Sequence, residues 1–173
     1  MNGYDLERVM RADPHTSPIF EGVFAADTLP RFLSKRPALL IFNVDRITQK
    51  GSHWQAAHID KDGNGQFFDS YGMSPFVPAH KRFMDRVCKT WTHNPIQLQA
   101  LDSAVCGHYC LLYLIFKAHG YSLEQMINMF FDDDVNKNDA VVEYLVDRYT
   151  ENDVFCDDFI INRNPQTCAP KRK

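Results

Sequence analysis

The chain lacks any apolar run long enough to cross a bilayer. Its longest, Leu111 to Phe116, falls far short of the roughly 20 residues a membrane helix needs. No charged leader followed by an apolar segment opens it, so the expectation is a soluble protein that is not secreted and not bound to membrane. Positive charge is not in excess: 19 Lys and Arg against 22 Asp and Glu leave a formal net charge of −3, which gives no general attraction to nucleic acid. Cys88, Cys106, Cys110, Cys156 and Cys168 form an odd set with no pair at zinc-knuckle spacing, so neither a disulfide framework nor a structural metal site is signalled. No internal repeat is visible.

What is present suffices for one core. Of 173 residues 45% are hydrophobic and 13 are Phe, which indicates a single domain over residues 1–162. Residues 163–173, ending Lys171-Arg172-Lys173, read as a flexible basic tail. Asp5 to Arg11 suits a short helix, and Asp13-Pro14, Ser17-Pro18 and Leu29-Pro30 then break the chain into loops. Leu39 to Val44 is a continuous run of β-favouring residues and reads as a buried strand. Trp54 to Ile59 and Gln66 to Tyr71 flank Asp60-Lys61-Asp62-Gly63-Asn64-Gly65, the clearest hairpin signal.

His80 to Trp91 places Phe83, Met84, Val87, Cys88 and Trp91 on one helical face, whereas Ile96 to Leu101 alternates like a strand. Leu111 to Phe116 reads as a buried central helix stopped by Gly120. Ser122 and Gln125 have capping-box spacing for a helix to about Phe131, and Asn138 is placed to cap another through Tyr149. Asp132-Asp133-Asp134 reads as a solvated loop. The fold class is therefore α+β, a mixed or antiparallel sheet from residues 39–101 packed against the helix that carries Cys106 at its start.

Cys106 follows the polar, capping-competent turn Asp102-Ser103-Ala104-Val105 and precedes Gly107, which puts its sulfur at a helix N-terminus. There the dipole and unpaired N–H groups favour a thiolate. That setting alone fits a buried structural cysteine better than a nucleophile. His53 and Asp69, however, lie at matching ends of the hairpin. A turn centred on Lys61 sets them opposite each other, with Cβ atoms about 5 Å apart; a tight Asp62-Gly63 turn instead sets Asp69 opposite Ala56. In the first register the carboxylate takes the Nδ1 proton and leaves Nε2 to deprotonate a thiol. His58 points to the opposite face of the strand, and His108 points away from the cysteine. Gln99, seven residues before Cys106, lies where an amide donor could meet an oxyanion beside the cysteine N–H.

The set His53-Trp54, Asp69 in Phe67-Phe68-Asp69-Ser70-Tyr71-Gly72, Gln99, and Asp102-Ser103-Ala104-Val105-Cys106-Gly107 resembles the adenovirus maturation proteases. This adenain-like family belongs to a clan that includes SUMO-deconjugating enzymes. Its order of His, acid, Gln and Cys is the reverse of the Cys-first order of papain. The likeness extends through Pro18-Ile19-Phe20-Glu21-Gly22-Val23-Phe24 and Asn43, covers roughly residues 5–120, and leans towards the proteases of virophages and Polinton-like elements.

The resemblance implies a thiol endopeptidase with Cys106 as nucleophile, His53 as base, Asp69 as its orienter and Gln99 in the oxyanion hole. Its substrates would be viral capsid precursors cut after glycine, with Trp54 and Gly107 in contact with substrate. It implies a monomer acting in the host cell (virus factory, cytoplasm or nucleus) and in the virion interior, with no metal. It also raises two activators: DNA, for which Lys81, Arg82, Arg86 and Lys89 form a local patch, and a cysteine-bearing basic peptide. Cys88 lies where such a peptide would attach, although it reads equally as a small inward-facing residue. The tail from Gln166 through Cys168 to Lys173 is itself comparable with a peptide of that kind. Deconjugation of ubiquitin-like modifiers and acyl transfer use the same constellation, and a binding domain with a merely buried Cys106 is the non-enzymatic alternative.

Overall fold

The computed structural model describes residues 1–152, so the expected tail, Cys156 and Cys168 lie outside the described residues. In chain order the elements are α1 (Gly3–Ala12), β1 (Phe20–Phe24), β2 (Ala38–Asn43), β3 (Trp54–Ile59), β4 (Asn64–Phe68), α2 (Pro78–Val87), β5 (Thr90–His93), α3 (Cys106–Ala118), α4 (Leu123–Ile127) and α5 (Val135–Asn152). The strands form one sheet in the order β1-β2-β3-β4-β5. The β2-β3 and β3-β4 pairs are antiparallel, and parallel partners close both edges. The α+β architecture is the expected one, with the sheet packed against the helix that begins at Cys106.

Both faces of the sheet are covered, which is why β2 is buried at every position. Leu39, Ile41, Ala56 and Phe68 face α3, α1 and the later helices, and Ala38, Leu40, Phe42, Ala57, Ile59 and Phe67 face α2 through Phe83, Met84 and Val87. Leu111 to Phe116 are all buried, as an all-apolar helix requires, and Gly120 takes a positive φ of 85° at its end. No helix among the described residues is long and apolar enough to cross a membrane.

Four sequence expectations need correction. The helix expected over His80 to Trp91 ends at Val87; Cys88 caps it, and Trp91 lies instead on edge strand β5, where its Nε1 donates to Asp85. Ile96 to Leu101 is not a strand: its alternation is satisfied by loop contacts, with the Leu98 and Gln99 N–H groups both donating to the Ser70 carbonyl. The Ser122–Gln125 capping box is present, but its helix stops at Ile127. Asn138 does not cap α5. It is buried within that helix and brackets Phe131 through both the N–H and the carbonyl, while Asp134 accepts from the Lys137 N–H in the first turn.

Candidate active site

The hairpin register decides what meets at the end of the sheet. Ala56 pairs with Phe68 and Ile59 with Gly65; one step beyond the last pair the Gln55 amide reaches Asp69, and the chain then turns over Asp69 to Gly72. Neither sequence-derived register holds. The turn is set by Asp60, whose carboxylate accepts the N–H groups of Asp62 and Asn64, with Gly63 at a positive φ of 89°. His53 and Asp69 are therefore not directly opposed, yet they are close enough to bond. His53 Nε2 lies 3.1 Å from Asp69 Oδ2, and the Tyr71 ring stacks on the imidazole at 4.7 Å.

This contact also reverses the expected roles of the ring nitrogens. Asp69 engages Nε2, which leaves Nδ1 to face the cysteine. His53 and Cys106 act on each other electrostatically, each favouring the charged form of the other.

Cys106 is the first residue of α3, and its cap residue Val105 supplies no side-chain hydrogen bond. The first N–H groups of a helix have no intrahelical partner, so this end remains available to an anion. Ser103, in the turn expected to be capping-competent, donates to the Ala100 carbonyl. Burial acts to raise the Cys106 pKa, but hydrogen bonds from His53 and from the Trp54 and Gly107 backbone, with the His53 charge, bring it below its ordinary value. Burial acts to lower the His53 pKa. The Asp69 and Cys106 hydrogen bonds and their negative charges outweigh it and raise the pKa to about 9. The two shifts favour the same state, a Cys106 thiolate beside a His53 imidazolium.

Asp69 is fully buried, and both its oxygens are engaged, Oδ2 by His53 and Gln55 and Oδ1 by the Tyr71 N–H. Asn94, at the end of β5, accepts the Asp69 N–H and donates to its carbonyl, clamping the backbone from both sides. Gly72 lies against Ile96 and Gln97 so closely that a Cβ would come within 2.7 Å of backbone, and its φ is 72°.

Gln99 is fully buried, accepts from Ser70 Oγ at 2.6 Å and donates through Nε2 to Ser103 Oγ and the Ser103 carbonyl. It thus braces the turn that delivers Cys106. Trp54 is half-buried; its Nε1 donates to the Met1 carbonyl, and its ring lies beside Gly107, where an added Cβ would meet Leu6, Met1 and Trp54 at 3.4–3.5 Å. His58 faces the Lys117 side, and its burial lowers its pKa to about 4. Cys88 is half-buried with its sulfur packed over Gly65, and burial pushes its thiol up to about 11. Of the basic patch, Lys81 pairs with Asp85 and Arg86 donates to the Pro30 and Arg31 carbonyls.

Sequence reasoning passed over Gln55, His80, Tyr71 and Asn94. Gln55 carried a usable signal, its position two residues beyond His53 on one strand; Asn94 and His80 carried none, because their approach depends on the loops after β4.

No protein-family model matches the chain, and no curated protein does. Among solved structures it is similar to the crystal structure of an African swine fever virus protease, at 26% identity and a TM-score of 0.45, over 62% of this chain and 44% of that one. It is also similar to a deletion variant of the Salmonella protein AvrA with IP6 and CoA, at 14% identity and a TM-score of 0.44, over 78% of this chain and 54% of that one. The chain spans about half the length of these structures.

Proposed function

We propose that the protein is a cysteine endopeptidase of the adenoviral maturation type. The observation that carries this reading is Cys106 as the first residue of α3, with no side-chain cap there, electrostatically coupled to a His53 whose Nε2 lies 3.1 Å from buried Asp69. A structural cysteine needs none of these partners. In the proposed mechanism His53 holds the thiol proton at Nδ1 while the Cys106 thiolate attacks a peptide carbonyl. The oxyanion forms beside the first N–H groups of α3; the Gln99 amide, whose Nε2 donates to Ser103, joins them only if it exchanges one of those bonds. His53 then protonates the leaving amine and later draws a proton from the water that releases the acyl group.

The residue order and surroundings of the site support precursor proteins of a DNA virus or virus-like element as substrates, cut after glycine in the host cell or the assembling particle. The test is incubation with a glycine-ended peptide electrophile, followed by peptide mapping. Modification of Cys106, abolished in Cys106→Ala and strongly slowed in His53→Ala, is expected. An unmodified Cys106 would return the protein to the binding-domain reading. Parallel incubations with capsid precursor, ubiquitin-like conjugates and acetyl-CoA separate the activities, and cleavage of conjugates alone, or acetylation without cleavage, would overturn the substrate assignment.

A further inference from the structure

Behind Asp69 lies a second buried chain of hydrogen bonds that the proposed mechanism does not use. Gln55 on β3 is fully buried, and its Nε2 lies 2.5 Å from Asp69 Oδ2, the same oxygen that meets His53. The other end of that amide, Oε1, lies 2.7 Å from Nδ1 of His80 on α2. His80 is itself fully buried against Phe42, with ring centroids 5.1 Å apart.

An amide can turn over, exchanging oxygen for nitrogen at nearly equal volume. Turned the wrong way, Gln55 would aim its oxygen at the Asp69 carboxylate, placing two acceptors against each other. What fixes the orientation is the group at the far end. With Oε1 facing it, His80 must donate from Nδ1. Burial keeps that imidazole neutral, lowering its pKa to about 4 against the opposing pull of the Asn43 carbonyl and the Asp69 charge. One proton is therefore available: on Nδ1 it serves Gln55 Oε1 and leaves buried Nε2 without a hydrogen bond, and the Asn43 carbonyl is the acceptor that competes for it. Of the charged groups, Asp69 acts on His80, and Asp69 and Cys106 act on His53, on which the titratable Tyr71 ring also stacks.

We propose that Gln55 and His80 are positioning residues for the Cys106 chemistry: the Nδ1–H of neutral His80 sets the Gln55 amide so that it donates to Asp69, which holds that carboxylate oxygen on His53. The proposal rests on the reading of Cys106 as the nucleophile. A hydrogen bond to a residue that orients a catalytic group acts through geometry rather than contact with substrate.

Two substitutions separate this role from simple packing. His80→Phe fills the aromatic slot beside Phe42 and Phe83 but removes the donor, whereas His80→Asn leaves a void but returns an N–H near the place of Nδ1. If His80 acts as a donor, the maximal rate of Cys106 labelling by the glycine-ended electrophile falls about tenfold in His80→Phe, at unchanged half-saturation, and stays within about threefold of wild type in His80→Asn. Melting temperatures should rank the two variants the other way. Labelling rates that follow the melting temperatures, or a His80→Phe rate equal to wild type, overturn the proposal.

Should His80→Phe not fold, Gln55→Met gives the same reading, with a tenfold loss expected and a wild-type rate contradicting it. A further readout requires no activity: nitrogen NMR of the wild-type imidazoles at neutral pH should show His80 protonated at Nδ1, and an Nε2–H tautomer would sink the idea. Wild-type protein that fails to label at all contradicts the peptidase reading instead, and the tautomer still reports on the hydrogen-bond chain.

Discussion

Cys106 is a residue whose surroundings, rather than its position in the chain, make it a candidate nucleophile. Its thiol is buried, which would ordinarily raise the pKa, yet one histidine and two backbone partners reverse the shift. Asp69 sustains that reversal by holding the proton on His53. Asp69→Asn is therefore expected to lower Cys106 labelling at pH 7 by about 100-fold or more, in a stopped or continuous labelling assay; a change under twofold would remove Asp69 from the mechanism. Gln99→Ala removes the acceptor of the buried Ser70 hydroxyl and the donor to Ser103, a loss of about 1–3 kcal/mol by denaturant unfolding. If Gln99 also meets the oxyanion, peptide hydrolysis should fall by a further factor of roughly 100, beyond what the fraction unfolded explains. Hydrolysis that tracks only the folded fraction would leave Gln99 as a brace of the turn. The four candidate residues could be picked out of the sequence because each proposed role limits the residue types that can fill it. The choice between ring nitrogens was not legible, since it depends on the direction from which a carboxylate on another strand arrives.

Among the elements, the hairpin and the central helix were legible from local pattern, and the segments joining them were not. Asp60 and Gly63 select a turn whose register falls between the two that simple turn rules offered, so Asp69 lands beside Gln55 rather than opposite His53 or Ala56. Ile96 to Leu101 has the alternation of a strand but no partner strand. It is held by Ser70 on one side and by Asp139 of α5 on the other: Asp139 accepts from the Ala100 N–H, and the Tyr109 hydroxyl, within hydrogen-bond reach of both Asp139 and the Leu98 carbonyl, ties the loop to α3. Such long-range support leaves no periodic trace in the sequence. Asp139→Ala should therefore loosen residues 98–105 in particular, with faster amide exchange there, a stability loss of about 1–3 kcal/mol and slower Cys106 labelling. Exchange that quickens uniformly, or in α5 alone, would show that Asp139 does not pin this loop.

For the molecule as a whole, buried histidines make stability depend on pH in two directions. His58 and His80 are neutral in the folded protein, with pKa values lowered to about 4 from the ordinary 6.5. Between those values the unfolded chain binds the protons, so stability falls as pH drops, by up to about 1.4 kcal/mol per pH unit for each histidine. His53 has the opposite sign: its pKa, raised to about 9, gives a contribution complete below 6.5 and lost as pH rises through about 9. Thermal melts across pH 5–10 should thus fall off on both sides, and a His58→Gln, His80→Phe double variant should flatten the acid side between pH 6.5 and 5. An unchanged acid side would mean other groups dominate it. The fold's central act is to bring His53, Asp69 and the start of α3, three segments distant in sequence, to one end of the sheet. The direct test is thiolate absorbance near 240 nm, followed against pH in wild type, Cys106→Ala and His53→Ala. The account requires a Cys106-dependent thiolate at pH 7 that is absent in Cys106→Ala and largely lost in His53→Ala. A Cys106 thiolate that emerges only as pH passes the ordinary thiol value of 9.0 would contradict it.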